Sequence, residues 1–120
     1  AHLGGNELLN EVISSLAGLD IYLDTSYVLP QTSKEALFSL LSRHSEDRIL
    51  FATDSPWQNQ GEQIKIIRSL GLSKDAEDKI FYKNAKKQQI LYLHIFVSKH
   101  RKSAIFVNIV LHFQGFHLFF

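Results

Sequence analysis

Asp54 closes the run Ile49-Leu50-Phe51-Ala52-Thr53 and opens the turn Ser55-Pro56-Trp57. A carboxylate at the exit of a buried strand stands on a rigid support at the mouth of a sheet, where α/β enzymes keep the groups that move protons or hold metals. Pro56 has no N–H to donate and stops the ladder two residues later. Asp24 has a comparable place. It follows Leu19, Ile21 and Leu23, which alternate with Asp20 and Tyr22, and it leads into Thr25-Ser26. His2 lies just before Gly4-Gly5, a pair that lets the backbone turn tightly and approach a ligand closely. In a strand-loop-helix unit this arrangement puts His2 at a third strand exit. One imidazole and two carboxylates at successive strand ends form the layout of a barrel active site. Each residue alone also has a plainer reading: Asp54 as a cap, Asp24 as a turn former, His2 as a terminal residue.

The elements that must position these groups are legible as alternating helices and strands. Leu8, Leu9, Val12, Ile13 and Leu16 have the spacing of an amphipathic helix over residues 6–16, with Gly18 just beyond its end. Residues 19–23 alternate as a short strand. Thr32-Ser33-Lys34-Glu35 fits a capping box, and the helix it opens runs through Ala36, Leu37, Leu40 and Leu41 to about His44. The strand from Ile49 follows. Ile64, Ile67 and Leu70 mark the next helix, which ends at Gly71, and Ser73 caps a last one that reaches about Lys87. Strands separated by helices of about ten residues imply a parallel sheet with crossover connections.

A chain of 120 residues, 45% hydrophobic, supports one modest core and is not disordered. A net charge of +1 argues against a nucleic-acid surface as its main business. The absence of cysteine excludes disulfides and thiolate metal sites. No Gly-x-Gly-x-x-Gly or phosphate-binding loop occurs, which disfavours a nucleotide-binding doubly wound domain. The opening Ala1-His2-Leu3-Gly4-Gly5 carries neither an initiator nor a signal-peptide layout, and the chain reads as a piece of something longer. All twelve acidic residues lie at or before Asp78, whereas seven lysines or arginines follow from Lys79 onward. That shift, with the apolar runs 90–97 and 104–113, marks a boundary near Lys87. Residues 88–120 then read as an apolar and basic tail of separate origin, strand-rich or membrane-seeking. Its apolar runs fall short of the roughly eighteen clean residues of a spanning helix, so no membrane partner is expected.

Four segments together resemble the C-terminal part of the amidohydrolase superfamily, in its amidohydrolase-related metal-dependent hydrolase branch, which also holds decarboxylases. They are His2-Leu3-Gly4-Gly5, Ile21-Tyr22-Leu23-Asp24-Thr25-Ser26, the run 49–57, and Ile80-Phe81-Tyr82-Lys83-Asn84-Ala85-Lys86-Lys87. They match the sixth-strand exit, the seventh strand, the eighth strand and the closing helix. The family usually has Gly in place of Ala52. The resemblance covers residues 1–87. It implies part of a TIM (β/α)8 barrel: the last two to three βα units and a closing helix, with the tail unrelated. It implies for Asp54 contact with a catalytic divalent metal, zinc being expected, and proton abstraction from the metal-bound water. For His2 it implies binding of a second metal, or orientation of water or substrate. Asp24, Thr25, Ser26 and Trp57 would line the pocket, and Asn84 would be a structural hydrogen-bonding residue.

The family's remaining ligands come from a first-strand His-x-His and the fifth-strand region, and no His-x-His occurs here. A barrel needs about 250 residues, and one carboxylate with one imidazole are too few to hold a catalytic metal. The implied function is therefore that of a cytoplasmic hydrolase acting on a small-molecule amide, ester or related carbonyl, with this chain inactive alone. Decarboxylation within the same superfamily is the alternative. A non-enzymatic α/β interaction module with a partner- or membrane-binding tail is the alternative of another class. His44, beside Arg43 and Glu46, reads as an exposed helix-end residue suited to the negative end of the dipole. His94, His112 and His117 sit singly among apolar residues, without ligand spacing.

Overall fold

The computed structural model describes residues 2–5 and 8–100, with side chains through 92. Two strands, β1 (Leu23–Asp24) and β2 (Ile49–Leu50), pair in parallel, Leu23 opposite Ile49 and Asp24 opposite Leu50. The helices are α1 (Leu9–Ser15), α2 (Lys34–Arg43), α3 (Gln60–Ser69), α4 (Lys74–Asp78) and α5 (Asn84–His100), with a π-helical turn at Lys79–Lys83 between the last two. Short 3-10 turns occur at His2–Gly4, Leu29–Gln31 and Glu46–Arg48. The chain separates into two compact units, residues 1–86 and 87–120.

The expected parallel α/β order is present, with α2 connecting β1 to β2. Among the described residues the sheet is open and two-stranded, not a closed barrel. Both strands are shorter than the alternation predicts, for a visible reason. The Ile21 carbonyl is bonded by His44 Nε2 at 3.1 Å. Ala52 N–H donates to Thr25 Oγ1 at 3.1 Å, and that hydroxyl donates to the Ala52 carbonyl at 3.0 Å. A side chain has replaced the next rung of the ladder. Phe51 N–H donates to the Ile80 carbonyl at 2.9 Å, so the outer edge of β2 is closed by the π-helical turn.

Helix starts follow local chemistry. Ser33, Asn59 and Ser73 each accept a hydrogen bond from the backbone N–H three residues on, which supplies a partner to an otherwise orphaned donor. The α2 cap is Ser33 rather than Thr32, whose hydroxyl instead donates to the Val28 carbonyl at 2.8 Å. The core joins Leu3, Val12, Leu23, Val28, Leu29, Leu37, Leu40 and Ile67. Burying such side chains contributes about 1.5–3 kcal/mol each.

The last helix does not end near Lys87 but continues to His100, so the run 90–97 is helical and not a strand. No helix among the described residues is long and apolar enough to cross a membrane. The second apolar run of the tail, 104–113, and His112 and His117 lie outside the described residues.

Candidate functional site

Because β1 and β2 run parallel, the turns that leave them emerge at one edge of the sheet. Thr25 to Tyr27 and Ala52 to Trp57 are those turns, and the segment His2–Gly4 is fastened to the first of them. His2 N–H donates to Asp24 Oδ1 at 3.1 Å, and its Nδ1 lies 2.9 Å from the Ser26 carbonyl and 3.1 Å from Ser26 Oγ. The imidazole also leans on the Tyr27 ring, with centroids 5.8 Å apart. The structure therefore brings His2, Asp24 and Ser26 into direct contact. Asp54 follows at the exit of β2.

Backbone conformation singles out the same places. Among the described residues, His2, Leu3, Tyr27 and Asp54 are the non-glycine residues at positive φ, between 50° and 65°. Side chains are disfavoured there by contact of Cβ with the backbone, and such strain gathers where function or tight packing demands it. Asp54 is exposed, and its carbonyl accepts from Trp57 N–H at 2.9 Å, closing the turn that holds Pro56.

Asp24 is half-buried. Burial raises its carboxyl, but hydrogen bonds from the Ser26 hydroxyl, His2 N–H and Ser26 N–H outweigh this and hold it below the ordinary 3.8. It stands as a carboxylate at neutral pH.

A cavity of about 300 Å³ adjoins His2 and is lined by Leu3, Asn10, Val28, Gln31 and Thr32 among others. Asp24, Thr25, Ser26 and Trp57 are not among the residues that line this cavity. Asp24 and Ser26 hold His2, Thr25 bridges the strands, and Trp57 is 77% exposed. A metal was expected at Asp54 and His2. Among the described residues no group of three or more His, Cys, Asp or Glu is arranged to hold one. The residues present do not make a complete metal site.

Two buried polar residues escaped the sequence reading. His44 is 1% exposed, not a solvent-facing helix end as expected. Gly18 N–H donates to its Nδ1 at 3.2 Å, which makes Nε2 the protonated nitrogen, and Nε2 donates to Ile21. Gln63 on α3 is fully buried and donates from Nε2 to the Thr53 carbonyl at 3.1 Å, immediately before Asp54. Its Oε1 has no partner. Its only sequence signal was a polar residue beside the apolar stripe of α3.

No protein-family model matches the chain, and no curated protein matches it. Solved structures do. Two are of 2,6-dihydroxybenzoate decarboxylase, one from Rhizobium and one complexed with 2,6-dihydroxybenzoate, each at 20% identity and a TM-score of 0.49 over 66% of this chain. A third is dihydroxybenzoic acid decarboxylase from Polaromonas sp. JS666 with bound manganese and the inhibitor 2-nitroresorcinol, at 23% identity and a TM-score of 0.49 over 69% of this chain. The chain spans 22–23% of the length of these proteins.

Proposed function

We propose that this chain is the C-terminal part of a metal-dependent enzyme of the amidohydrolase type that acts on a small-molecule carboxylic acid or its derivative in the cytoplasm. In this reading His2 and Asp54 complete a divalent-metal and water site whose other ligands lie elsewhere in the enzyme. The observation that carries it is the parallel pairing of β1 with β2, whose exit turns lead to one edge, with His2 anchored on the first turn and Asp54 in the second. Bound metal would supply an activated water or a polarised oxygen. Of this chain's own groups, Asp54 is the carboxylate exposed to take a proton, and His2 the imidazole placed to orient a ligand. No step is assigned to the chain by itself, since its described residues lack the ligands.

Loss of carbon dioxide and attack of water are both open to such a site, and the similar solved structures are named for decarboxylation. The test is turnover by the whole enzyme, read as carbon dioxide release from dihydroxybenzoates and as hydrolysis of amides and esters. Asp54→Asn is expected to lower kcat by about 10²–10⁴. Turnover undiminished in that variant would remove Asp54 from the site.

A further inference from the structure

We infer that Asp24 and Ser26 are positioning residues that fix His2 as the Nδ1–H tautomer and so present Nε2 as its lone-pair nitrogen; this rests on the reading of His2 as a site residue. A carbonyl oxygen carries no proton, so the 2.9 Å contact between His2 Nδ1 and the Ser26 carbonyl needs the proton on Nδ1. The hydroxyl beside it is arranged the same way. Ser26 Oγ donates its proton to Asp24 Oδ1, which leaves a lone pair of Oγ facing His2 Nδ1 at 3.1 Å. The donors thus point in one direction, from His2 to Ser26 to Asp24, and the carboxylate ends the series because it can only accept.

The same carboxylate oxygen also fixes the main chain. Asp24 Oδ1 accepts from His2 N–H and from Ser26 N–H, both at 3.1 Å. One oxygen therefore holds the His2 backbone and the hydroxyl that faces its ring, across twenty-two residues of sequence. His2 and Tyr27 are held at φ 55° and 65° on either side of this contact. Without Asp24, the Ser26 hydroxyl is free to turn its proton toward Nδ1 and compete with the carbonyl contact, so the preference of the ring for Nδ1–H weakens. An imidazole whose Nδ1–H is bonded to oxygen offers Nε2 to a cation or a proton, and the groups behind it set that choice.

The tautomer can be read directly from the long-range ¹⁵N–¹H pattern of ¹⁵N-histidine in the full 120-residue chain, in alkaline buffer where the rings are neutral, with the His2 signal assigned by its loss in His2→Gln. The wild type is expected to show the Nδ1–H pattern. Asp24→Ala is expected to move the tautomer ratio about tenfold toward Nε2–H, the net worth of one hydrogen bond. Ser26→Ala should move it in the same direction, and Ser26→Thr, which keeps the hydroxyl, should restore it. A merely structural role would leave the ratio alone. Should Asp24→Ala fail to fold, as judged by amide protection at Leu50 and Phe51, the two Ser26 variants decide. The Nε2–H pattern in the wild type overturns the inference, as does Ser26→Ala with an unchanged ratio. Either outcome leaves the proposed reaction standing, and an inactive whole enzyme leaves the tautomer result standing.

Discussion

Asn84 Nδ2 lies 2.8 Å from the Ile49 carbonyl and 2.7 Å from the Glu46 carbonyl, so one amide on α5 satisfies two main-chain acceptors at the start of β2. Four residues earlier the Ile80 carbonyl accepts from Phe51 N–H. Helix residues thus stand in for a strand along the outer edge of β2. Asn84→Ala is expected to destabilise the chain by about 2–4 kcal/mol, because two acceptors are left without this donor. Urea unfolding measures this, and an unchanged midpoint would contradict it.

His44→Ala should be comparably costly. It removes the partner of Gly18 N–H and of the Ile21 carbonyl and opens a cavity under α2, for an expected loss of about 2–4 kcal/mol. Amide exchange offers the local reading. The Gly18 N–H should lose protection before the Leu37 and Leu40 amides do, and equal loss everywhere would argue against a local tie.

Gln63 offers a contrast between two substitutions. Gln63→Met gives up the bond to Thr53 but also removes the unpartnered Oε1, so the net cost should be about 1 kcal/mol. Gln63→Glu places a charge in a fully buried position and should cost several times as much at neutral pH. Equal stability of the two variants would show that the site is open to water. Emission from Trp57, the sole tryptophan, reports whether the turn after Thr53 moves with them.

The surface charges predict a stability plateau. Asp75 and Asp78 are held below their ordinary 3.8, Asp75 chiefly by the hydrogen bond from Lys83 and Asp78 chiefly by that from Lys74. A depressed carboxyl contributes fully above its unfolded value and stops contributing as pH falls through its folded one. Lys79 and Lys83 are raised above 10.5, Lys79 chiefly by Glu46 and Lys83 chiefly by Asp75. Their contribution is complete below that value and is lost as pH rises through the folded ones. The urea midpoint should therefore be level between about pH 5 and 9 as far as these groups are concerned. It should fall on both sides, and by less in high salt. Flanks that ignore salt would assign the loss to other groups.

Deletion of residues 88–120 should leave the first unit, residues 1–86, as protected as before, since the chain divides after Lys86. Amide exchange at Leu50 and Phe51 checks it. Collapse of that protection would make the tail part of the fold.

What was legible in the sequence was local. Ser73 caps its helix through a bond that spans three residues, as its place announces, whereas the capping box at α2 pointed to Thr32 and the cap is Ser33, one residue on. The parallel order followed from helices placed between apolar runs. Strand length was not legible, because a strand continues only where a partner offers its backbone, and Thr25 Oγ1 and Ile80 offered other partners.

The sequence by itself determined the order of elements, the cap at Ser73 and the chemical types available at the strand exits, since each depends on neighbours within a turn or two. Only the tertiary structure decided which of those groups meet. His44 is buried between Gly18 and Ile21, and His2 is tied to Asp24 and Ser26, through contacts 22 to 26 residues apart. Nothing in the residues beside a histidine states whether it will face water or a carbonyl. That is set by which distant backbone groups are left needing a partner once the chain has closed upon itself.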